Sequence, residues 1–529
     1  MTVRHSRSEN FATTSMPSSS STYSGSFEKH SFNLSRADSA VKPISVRTNS
    51  YSSPSVPFQL TTLERLLLAR QNLGSPPAIV HAIRYPLAEL PSRGFLEVRV
   101  SDLQFRLPRL NVYVAGAQTN RPRFENGPPW DAKEIVQEGH FSPNPHNDLD
   151  AEMSDILQSQ EEAFTAQDFE QSPMFRVTIL TSPRCNYGYI VPCFNHIMVD
   201  GCGALRLVHL LTAHGVHVPI EPFEKPSRLD DTVDLKPDAR YLASIVFREI
   251  IVPKLPKPLQ KKWKTKDPWP GERINAHPAE SPSGFSFVRI SLEVVDACKR
   301  AGKARGVRTF HPILKMAYMA AVWRVFGLGS TGTGNSLRLV ALTSRDERRT
   351  RSGHSAVTGC YTTNPEYYTK VSGEQKFWSV TRAMANWLGD RGVFTGRYNN
   401  GVLNEIPEGL TPMDPNYDPA RPTGWEQYLG ERSDAAAPFR SSIGIFNLGV
   451  ATLPQGAEDH AWSQTASPYG PVWNISVLTH EGGMRLSSVF RDGSAVTKAQ
   501  TDALLDVLKV VLERIAFNDL DTTIDRLTG

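Results

Sequence analysis

The feature that most constrains this fold is an apolar stretch that runs straight into a polar turn. Residues 187–195 read Y-G-Y-I-V-P-C-F-N, and H-I-M-V-D-G follows at 196–201. A short continuous apolar run before a turn is typical of a buried strand. The Asp-Gly pair before a second apolar run predicts that a helix starts near Cys202. Strands and helices mixed in this order indicate an α/β or α+β domain.

Predicted strands and helices alternate in two long stretches that have a similar mix of elements, separated by a stretch dense in Pro and Lys. We therefore predict two similar domains with a central cleft, where ligands usually bind. The predicted division is a tail at 1–57, an N-terminal domain at 58–223, a crossover linker at 224–283 and a C-terminal domain at 284–529.

The tail at 1–57 is rich in Ser and Thr and shows no hydrophobic periodicity. Such a segment cannot bury enough apolar surface to offset the entropy of ordering it, so it is predicted to be disordered. An Arg- and Ser-rich start with few acidic residues also resembles a mitochondrial transit peptide. Mitochondrial targeting therefore stays open as the minor alternative.

Composition excludes several classes of protein. The 58 Lys and Arg against 54 Asp and Glu leave a formal charge of only +4 over 529 residues, which predicts no nucleic-acid partner. Five cysteines without C-x-x-C spacing predict neither a disulfide framework nor a metal site. No apolar run reaches the roughly 18 residues that a membrane span needs, and no secretory signal is present. The expected location is cytoplasmic.

His196 is the strongest candidate for a catalytic residue. It follows the apolar strand, where a rigid scaffold can aim the ring into a cleft, and an imidazole titrates near neutral pH, as a general base must. His146 and Asp150 share the H-x-x-x-D spacing but lie in a polar loop, where we expect a solvated histidine. Asp200 either orients the imidazole or caps the following helix and pairs with a cation, and its place before Gly201 favours the cap.

Two basic segments could contact a ligand or a partner. The run S-R-D-E-R-R-T-R-S-G at 344–353 could supply the cation for Asp200 or contact a cofactor phosphate, or it could be a solvated charge run. The Lys-rich stretch at 254–270 reads as a solvated linker. Its alternative is a membrane-surface patch with Trp263 and Trp269 as interfacial anchors, which would make the protein peripheral on an internal membrane.

Several short stretches together resemble the superfamily of chloramphenicol acetyltransferase, peptide-synthetase condensation domains and plant acyltransferases, and within it the fungal alcohol acetyltransferase family. The matching stretches are L-E-R-L-L-L-A-R at 63–70, N-H-I-M-V-D-G at 195–201, T-F-H-P-I-L-K-M-A at 309–317, V-A-L-T-S-R at 340–345 with G-C-Y at 359–361, and F-N-L-G at 446–449. The chain lacks the D-F-G-W-G of the plant subfamily. It has Asn195 where peptide-condensation domains have a second His, which argues against peptide-synthetase chemistry.

The resemblance implies an acyltransferase of secondary metabolism, with two acetyltransferase-like domains facing a channel. Acetyl-CoA as co-substrate would enter from one face, and a small or lipid-like acceptor, such as an alcohol or a glycolipid, would enter from the other. His196 would take the proton from the acceptor hydroxyl or amine during direct transfer. Asp200 would be structural and paired with Arg345.

An oxyanion donor is expected on a strand of the second domain, with Ser441, Ser442 and Asn447 as candidates. The protein is expected to act as a monomer without a metal. A non-catalytic condensation-like module that binds or scaffolds is the alternative from another functional class.

Overall fold

The structure is a computed structural model that describes residues 58–214, 228–263, 268–269, 271, 274–275, 277–327, 336–348, 357–409, 415, 417–433, 438–518 and 521–529. The described residues belong to one compact unit at 54–529. The predicted disordered tail at 1–57 lies outside the described residues, as do Arg349 and Arg351 of the basic run.

The described helices are α1 (Thr62–Asn72), α2 (Arg93–Arg106), α3 (Ala132–Ile135), α4 (Leu149–Thr165), α5 (Gly201–Thr212), α6 (Leu229–Thr232), α7 (Ala239–Val246), α8 (Lys257–Trp263), α9 (Leu292–Ala304), α10 (Phe310–Phe326), α11 (Phe377–Gly389), α12 (Arg391–Val402), α13 (Gly424–Ser433), α14 (Lys498–Phe517) and α15 (Ile524–Thr528). Among these described helices, none is long and apolar enough to cross a membrane.

The described strands are β1 (Phe58–Gln59), β2 (Ala78–Pro86), β3 (Val112–Ala115), β4 (Arg123–Asn126), β5 (Val136–His140), β6 (Phe175–Thr181), β7 (Tyr187–Asn195), β8 (Ser283–Ile290), β9 (Ser336–Thr343), β10 (Arg345–Asp346), β11 (Thr362–Thr363), β12 (Glu366–Ser372), β13 (Ser441–Val450), β14 (Asp459–Gln464), β15 (Pro471–His480) and β16 (Gly483–Arg491).

Two large mixed sheets organise these elements, which confirms the predicted fold class. The 5-stranded sheet has the order β14-β2-β7-β6-β5, and the 6-stranded sheet has the order β12-β9-β13-β15-β16-β8. The strand that precedes His196, β7, lies in the middle of the smaller sheet and is buried along almost its whole length. Its continuous apolar sequence follows from this position, because both faces of a central strand are covered.

One strand crosses the predicted domain boundary. Strand β14 belongs to the C-terminal stretch of the sequence but pairs antiparallel with β2, from Asp459 opposite Arg84 to Gln464 opposite Ile79. Its sequence, D-H-A-W-S-Q, is not a strand pattern that the sequence analysis identified, yet all six residues are buried. The C-terminal half therefore completes the sheet of the N-terminal half.

The spacing of Thr61 and Glu64 predicts a capping box at the start of the first helix, and Gly74 predicts its end; the structure has both. Thr61 and Glu64 form a capping box, in which the Glu64 backbone N donates to Thr61 Oγ1 and the Thr61 backbone N donates to Glu64 Oε2. Gly74 ends the helix with φ of +75°, a conformation that glycine adopts without strain. Glu64 also accepts a hydrogen bond from Arg109 at 3.0 Å and from the backbone N of Cys360 at 3.2 Å, which ties α1 to the site described below.

The core around the larger sheet corrects one expectation about the Lys-rich stretch. Trp269, proposed above as an interfacial anchor, is 2% exposed and packs edge-on against Trp473, with ring centroids 5.3 Å apart. The large apolar area of the indole favours the core over the surface. The side chain of Trp263 lies outside the described residues. Thr309 occupies the N-cap position of α10, where a threonine often caps, but its side chain makes no capping hydrogen bond.

Candidate active site

The turn after β7 is held by the side chain that precedes His196. Asn195 is fully buried; its Oδ1 accepts a hydrogen bond from the backbone N of Ile197 at 2.9 Å, and its Nδ2 donates to Gln71 on α1 at 2.7 Å. The backbone N of His196 donates to the carbonyl of Pro77 at 2.9 Å. These bonds fix the backbone that carries His196, so Asn195 supports the turn rather than reaching a ligand.

His196 faces a cavity of about 230 Å³ that other parts of the chain complete. Burial lowers the pKa of His196, which the negative charge of Asp200 partly opposes. The imidazole is therefore neutral at pH 7, the form in which a ring nitrogen can accept a proton. His146, by contrast, lies exposed in its loop, as predicted.

A cysteine that the sequence analysis did not single out contacts the other side of this histidine. The Cys360 thiol donates to the His196 carbonyl at 3.0 Å, and its Sγ lies 3.8 Å from His196 Nδ1. Burial raises the pKa of Cys360 well above its ordinary value, so the group stays a neutral thiol. The contact on Nδ1 leaves Nε2 as the ring nitrogen that can act on a ligand. The sequence carried no signal for this pair, because 164 residues separate its members.

Asp200 is both the N-cap of α5 and one half of a buried ion pair. Its Oδ1 accepts from the backbone N of Gly203 at 2.9 Å, and its Oδ2 accepts from Arg348 Nη1 and from the backbone N of Tyr361, each at 2.8 Å. Burial alone would raise the pKa of Asp200, but Arg348 and the backbone donors hold it below its ordinary value. Asp200 is thus an ionised anchor that binds the turn to the segment at 357–363.

The prediction that Arg345 pairs with Asp200 is wrong. Arg345 Nε lies 3.5 Å from Glu347 Oε1, and the cation that reaches Asp200 is Arg348. Asp346 accounts for the difference, because its Oδ1 accepts from both the backbone N and Nη1 of Arg348, each at 3.1 Å. This turn after the short strand β10 directs Arg348 inward. Position within a run of arginines could not distinguish the two.

Two glycines near the start of the helix that follows His196 are closely packed, and the sequence analysis identified the first, Gly201. Gly201 lines the cavity, where an added Cβ would lie 3.1 Å from Leu448 Cδ2. At Gly203 an added Cβ would lie 2.1 Å from the carbonyl oxygen of Val357 and 2.6 Å from Val199 Cγ2. Gly203 therefore permits the close approach of the segment that contains Cys360 and Tyr361.

The three candidate oxyanion donors differ in position. Asn447 lines the cavity, although its Oδ1 already accepts from the backbone N of Gly449 at 2.8 Å. Ser441 and Ser442 do not line it. Ser442 Oγ accepts from the backbone N of Val340 at 2.9 Å and donates to the carbonyl of Pro268, which makes it part of the sheet's packing. Neither serine is therefore placed to stabilise an oxyanion in this cavity, and the expectation for both is wrong.

Most of the cavity wall was not predicted. The surface of the wall is mainly apolar. The apolar residues that line it include Leu63, Leu66, Leu67, Leu342, Leu403, Leu429, Phe446, Leu448 and Trp462. The helix α1 and the crossing strand β14 supply several of its residues. Arg70 lines it as well, but its guanidinium donates to Thr465 Oγ1 at 2.8 Å and to the carbonyl of Ala466 at 3.0 Å. Burial lowers the pKa of Arg70 to about 9.

Among the residues that the structure describes, no group of three His, Cys, Asp or Glu side chains is placed to hold a metal ion.

No protein-family model matches the chain, and no curated protein matches its sequence. Solved structures do resemble it. The TRI3 trichothecene 15-O-acetyltransferase from Fusarium sporotrichioides has a TM-score of 0.57 at 14% identity, with 89% of this chain and 97% of that chain covered. The EpoB cyclization-docking bidomain from Sorangium cellulosum has a TM-score of 0.57 at 14% identity, with 88% and 86% covered.

The epimerization domain of tyrocidine synthetase B, TycB3(E), has a TM-score of 0.55 at 11% identity, with 88% of this chain and 97% of that chain covered. Identities this low bear on the fold alone. The chain thus has the fold shared by the condensation domains of peptide synthetases and by chloramphenicol acetyltransferase-like acyltransferases.

Proposed function

We propose that the protein is an acyltransferase that moves an acyl group, acetyl from acetyl-CoA in the first instance, onto a hydroxyl or amine of an acceptor. The observation that carries the proposal is the placement of His196. Its neutral ring lines a mainly apolar cavity, while Asn195 and the Asp200–Arg348 pair hold the turn behind it. A base held this way is matched to deprotonating an alcohol at neutral pH.

The proposed reaction is a direct transfer. As the acceptor oxygen attacks the thioester carbonyl, His196 Nε2 takes the hydroxyl proton, and a C–O bond forms. The C–S bond then breaks and the thiolate leaves, taking the proton back from the imidazolium. The products are an ester and the free thiol of CoA, and no acyl-enzyme forms. Asn447 is the candidate among the three proposed donors that lies at the cavity, where a donor could stabilise the oxyanion.

An alcohol is the acceptor that the comparisons favour. One similar structure is that of a trichothecene 15-O-acetyltransferase, whose name specifies transfer to oxygen. Asn195 in the place of a second histidine disfavours peptide-bond formation, and here it is committed to the turn. We therefore propose a reaction of the kind carried out by fungal alcohol acetyltransferases, on a small or lipid-like alcohol that matches the apolar wall.

The test is release of free thiol from acetyl-CoA and from longer acyl-CoAs, with a panel of alcohols, amines and glycolipids. The wild-type chain should release thiol with at least one acceptor, and His196→Ala should lower that rate by about 10²–10⁴. His146→Ala is the matched control and should leave the rate unchanged. Full activity of a folded His196→Ala variant would exclude the histidine mechanism. Acceptor binding without thiol release, by wild type and variant alike, would instead support a non-catalytic binding module.

A further inference from the structure

The helix α7 has an apolar side that the described residues cover only in part, since Leu242 and Ile245 are half-buried and Val246 is exposed. Its sequence, A-R-Y-L-A-S-I-V, is strongly amphipathic, yet none of its residues is buried. An amphipathic helix in a folded domain normally buries its apolar stripe. This helix therefore presents a surface suited to another apolar phase.

The exposed surface continues past the end of α7. The chain passes through the π-helical turn Phe247–Ile251 and reaches α8. Val246, Ile251 and Leu259 are 37%, 43% and 46% exposed, and Lys254 and Lys257 are exposed between them in the sequence. Within the described part of the chain, neither lysine forms an ion pair. We call these five residues the lysine–apolar patch.

A second exposed apolar pair shows what is unusual about this patch. Val98 and Phe105 on α2 are 72% and 74% exposed, more than any member of the patch. Two of the three arginines of that helix pair with acidic residues of the same helix: Arg93 pairs with Glu97 at 2.7 Å and Arg106 with Asp102 at 2.9 Å, while Arg99 donates to the carbonyl of Ala213. Single exposed apolar side chains are ordinary. Exposed aliphatic side chains beside uncompensated lysines are the signature of an interfacial surface.

Aromatic side chains extend the exposed surface onto a neighbouring helix. Tyr241 on α7 donates to Asn399 Oδ1 at 2.5 Å, and its ring centroid lies 5.2 Å from that of Tyr398 on α12. Tyr398 in turn lies 6.4 Å from Phe394, which is 58% exposed. Tyrosine and phenylalanine at such a boundary suit a surface that is apolar on one side and wet on the other.

The same surface borders the cavity that contains His196. Arg440 and Tyr428 line that cavity, and Tyr428 is 39% exposed. Arg440 pairs with Glu366, which accepts a hydrogen bond from Tyr368 at 3.0 Å, and Tyr368 is 57% exposed. The strand β12, which contains Glu366 and Tyr368, contacts α12, and α12 is linked to α7 through the hydrogen bond of Tyr241 to Asn399. Residues that line the cavity are therefore connected to the surface that includes α7.

We infer that the lysine–apolar patch docks the protein on an anionic lipid bilayer, with the cavity opening turned toward the lipid. The aliphatic side chains would enter the interface and the lysines would meet the headgroups. A second copy of the chain fits less well, because a face-to-face contact would bring uncompensated lysines together. Delivery of an apolar acceptor from the bilayer to His196 rests on the proposed function, whereas docking itself does not.

The test is cosedimentation of the full chain with vesicles of phosphatidylcholine alone and of phosphatidylcholine with 30% phosphatidylserine. We expect binding to the anionic vesicles only, weakened when salt is raised from 0.1 M to 0.5 M because the charges are screened. Lys254→Gln with Lys257→Gln should weaken binding about 25-fold, since each lysine contributes about fivefold near an anionic surface. Val246→Asp with Ile251→Asp should abolish it.

The matched control is Val98→Asp with Phe105→Asp, which should bind like the wild type. Thermal unfolding of every variant shows whether it is folded, and sedimentation velocity gives the oligomeric state. Three results would each overturn the docking: no binding of the wild type to anionic vesicles, equal binding by the patch variants, and a dimer that Val246→Asp with Ile251→Asp dissociates. Binding that is lost in the patch variants while thiol release is absent throughout would leave the docking standing and remove the proposed reaction.

Discussion

Two regions next to the cavity hold their buried polar groups in different ways. In the turn between β7 and α5, the carboxylate of Asp200 is completely buried and ionised, and Arg348 and two backbone N–H groups satisfy it. In the seam where β14 pairs with β2, two neutral histidines meet. His81 Nδ1 lies 3.0 Å from His460 Nε2, and both rings are completely buried.

The seam contains buried polar atoms that have no hydrogen-bond partner, whereas the charged atoms of Asp200 in the turn all have partners. His81 Nε2, His460 Nδ1 and Trp462 Nε1 have no hydrogen-bond partner among the described residues. Burial lowers the pKa of His81 to about 3, and burial together with the neighbouring His81, His209 and His480 lowers that of His460, against the opposing charge of Asp459. The turn is therefore stable only when charged, and the seam only when neutral.

The largest effect should come from breaking the charged turn. Asp200→Asn leaves the Arg348 charge buried without its partner, and Arg348→Met does the same to the Asp200 charge. Each change should therefore lower the free energy of unfolding by about 3–5 kcal/mol. The double variant should lose much less than the sum, because it leaves no buried charge. Urea unfolding of the four proteins measures this coupling. Additivity of the two losses would show that Asp200 acts only as a helix cap.

Arg345→Met is the control for that cycle. Arg345 is 36% exposed and its distance to Glu347 is 3.5 Å, so its loss should change stability by less than about 1 kcal/mol.

A second change tests how tightly the turn is packed. Gly203→Ala places a methyl group against the carbonyl of Val357, and we expect a loss of about 1–3 kcal/mol from overpacking. Gly94→Ala in α2 is the matched control, because an added Cβ there meets nothing within 4 Å. The control should not destabilise, since alanine favours helix more than glycine does. Equal stability of the two variants would refute the close approach.

The seam should be the more sensitive region to mild acid. Below the unfolded pKa of about 6.5, an unfolded histidine binds a proton that the folded seam excludes, so stability falls as pH decreases from about 6.5 toward 3. The contribution of Asp200 is lost only at lower pH, because its folded pKa lies below its ordinary value. Replacing both His81 and His460 by Leu should flatten the pH dependence of stability by about 2–2.5 kcal/mol per pH unit between pH 6 and 5, because each histidine contributes about one proton. An unchanged slope would place the acid sensitivity elsewhere.

The smallest expected effect concerns the thiol beside His196. Cys360→Ala removes the contacts with the His196 carbonyl and ring, and we expect kcat of the proposed reaction to fall by tenfold or less with KM unchanged. Cys360→Ser should restore most of the rate. Cys298→Ala is the control, because that thiol donates to the carbonyl of Leu512 in the core of the larger sheet. A similar loss in both alanine variants would mean that Cys360 only packs.

Sequence patterns predicted the elements whose signals are local. The capping box of α1, the buried strand β7 and the helix that starts after Asp200 all depend on residues within a few positions of each other. The strand β14 was missed because its polar sequence is buried by pairing with β2, which is more than 370 positions away. Trp269 was misjudged for the same reason, since its burial depends on Trp473.

The sequence by itself determined the mixed α/β fold class, the place of His196 at the end of a buried strand, and the role of Asp200 as a cap. Those features follow from hydrophobic periodicity and from short-range hydrogen bonds. Only the tertiary structure decided that Arg348 rather than Arg345 meets Asp200, that Cys360 contacts the imidazole, and that β14 completes the cavity wall. Contacts between residues far apart in the chain depend on how whole elements pack, and no local pattern encodes that choice.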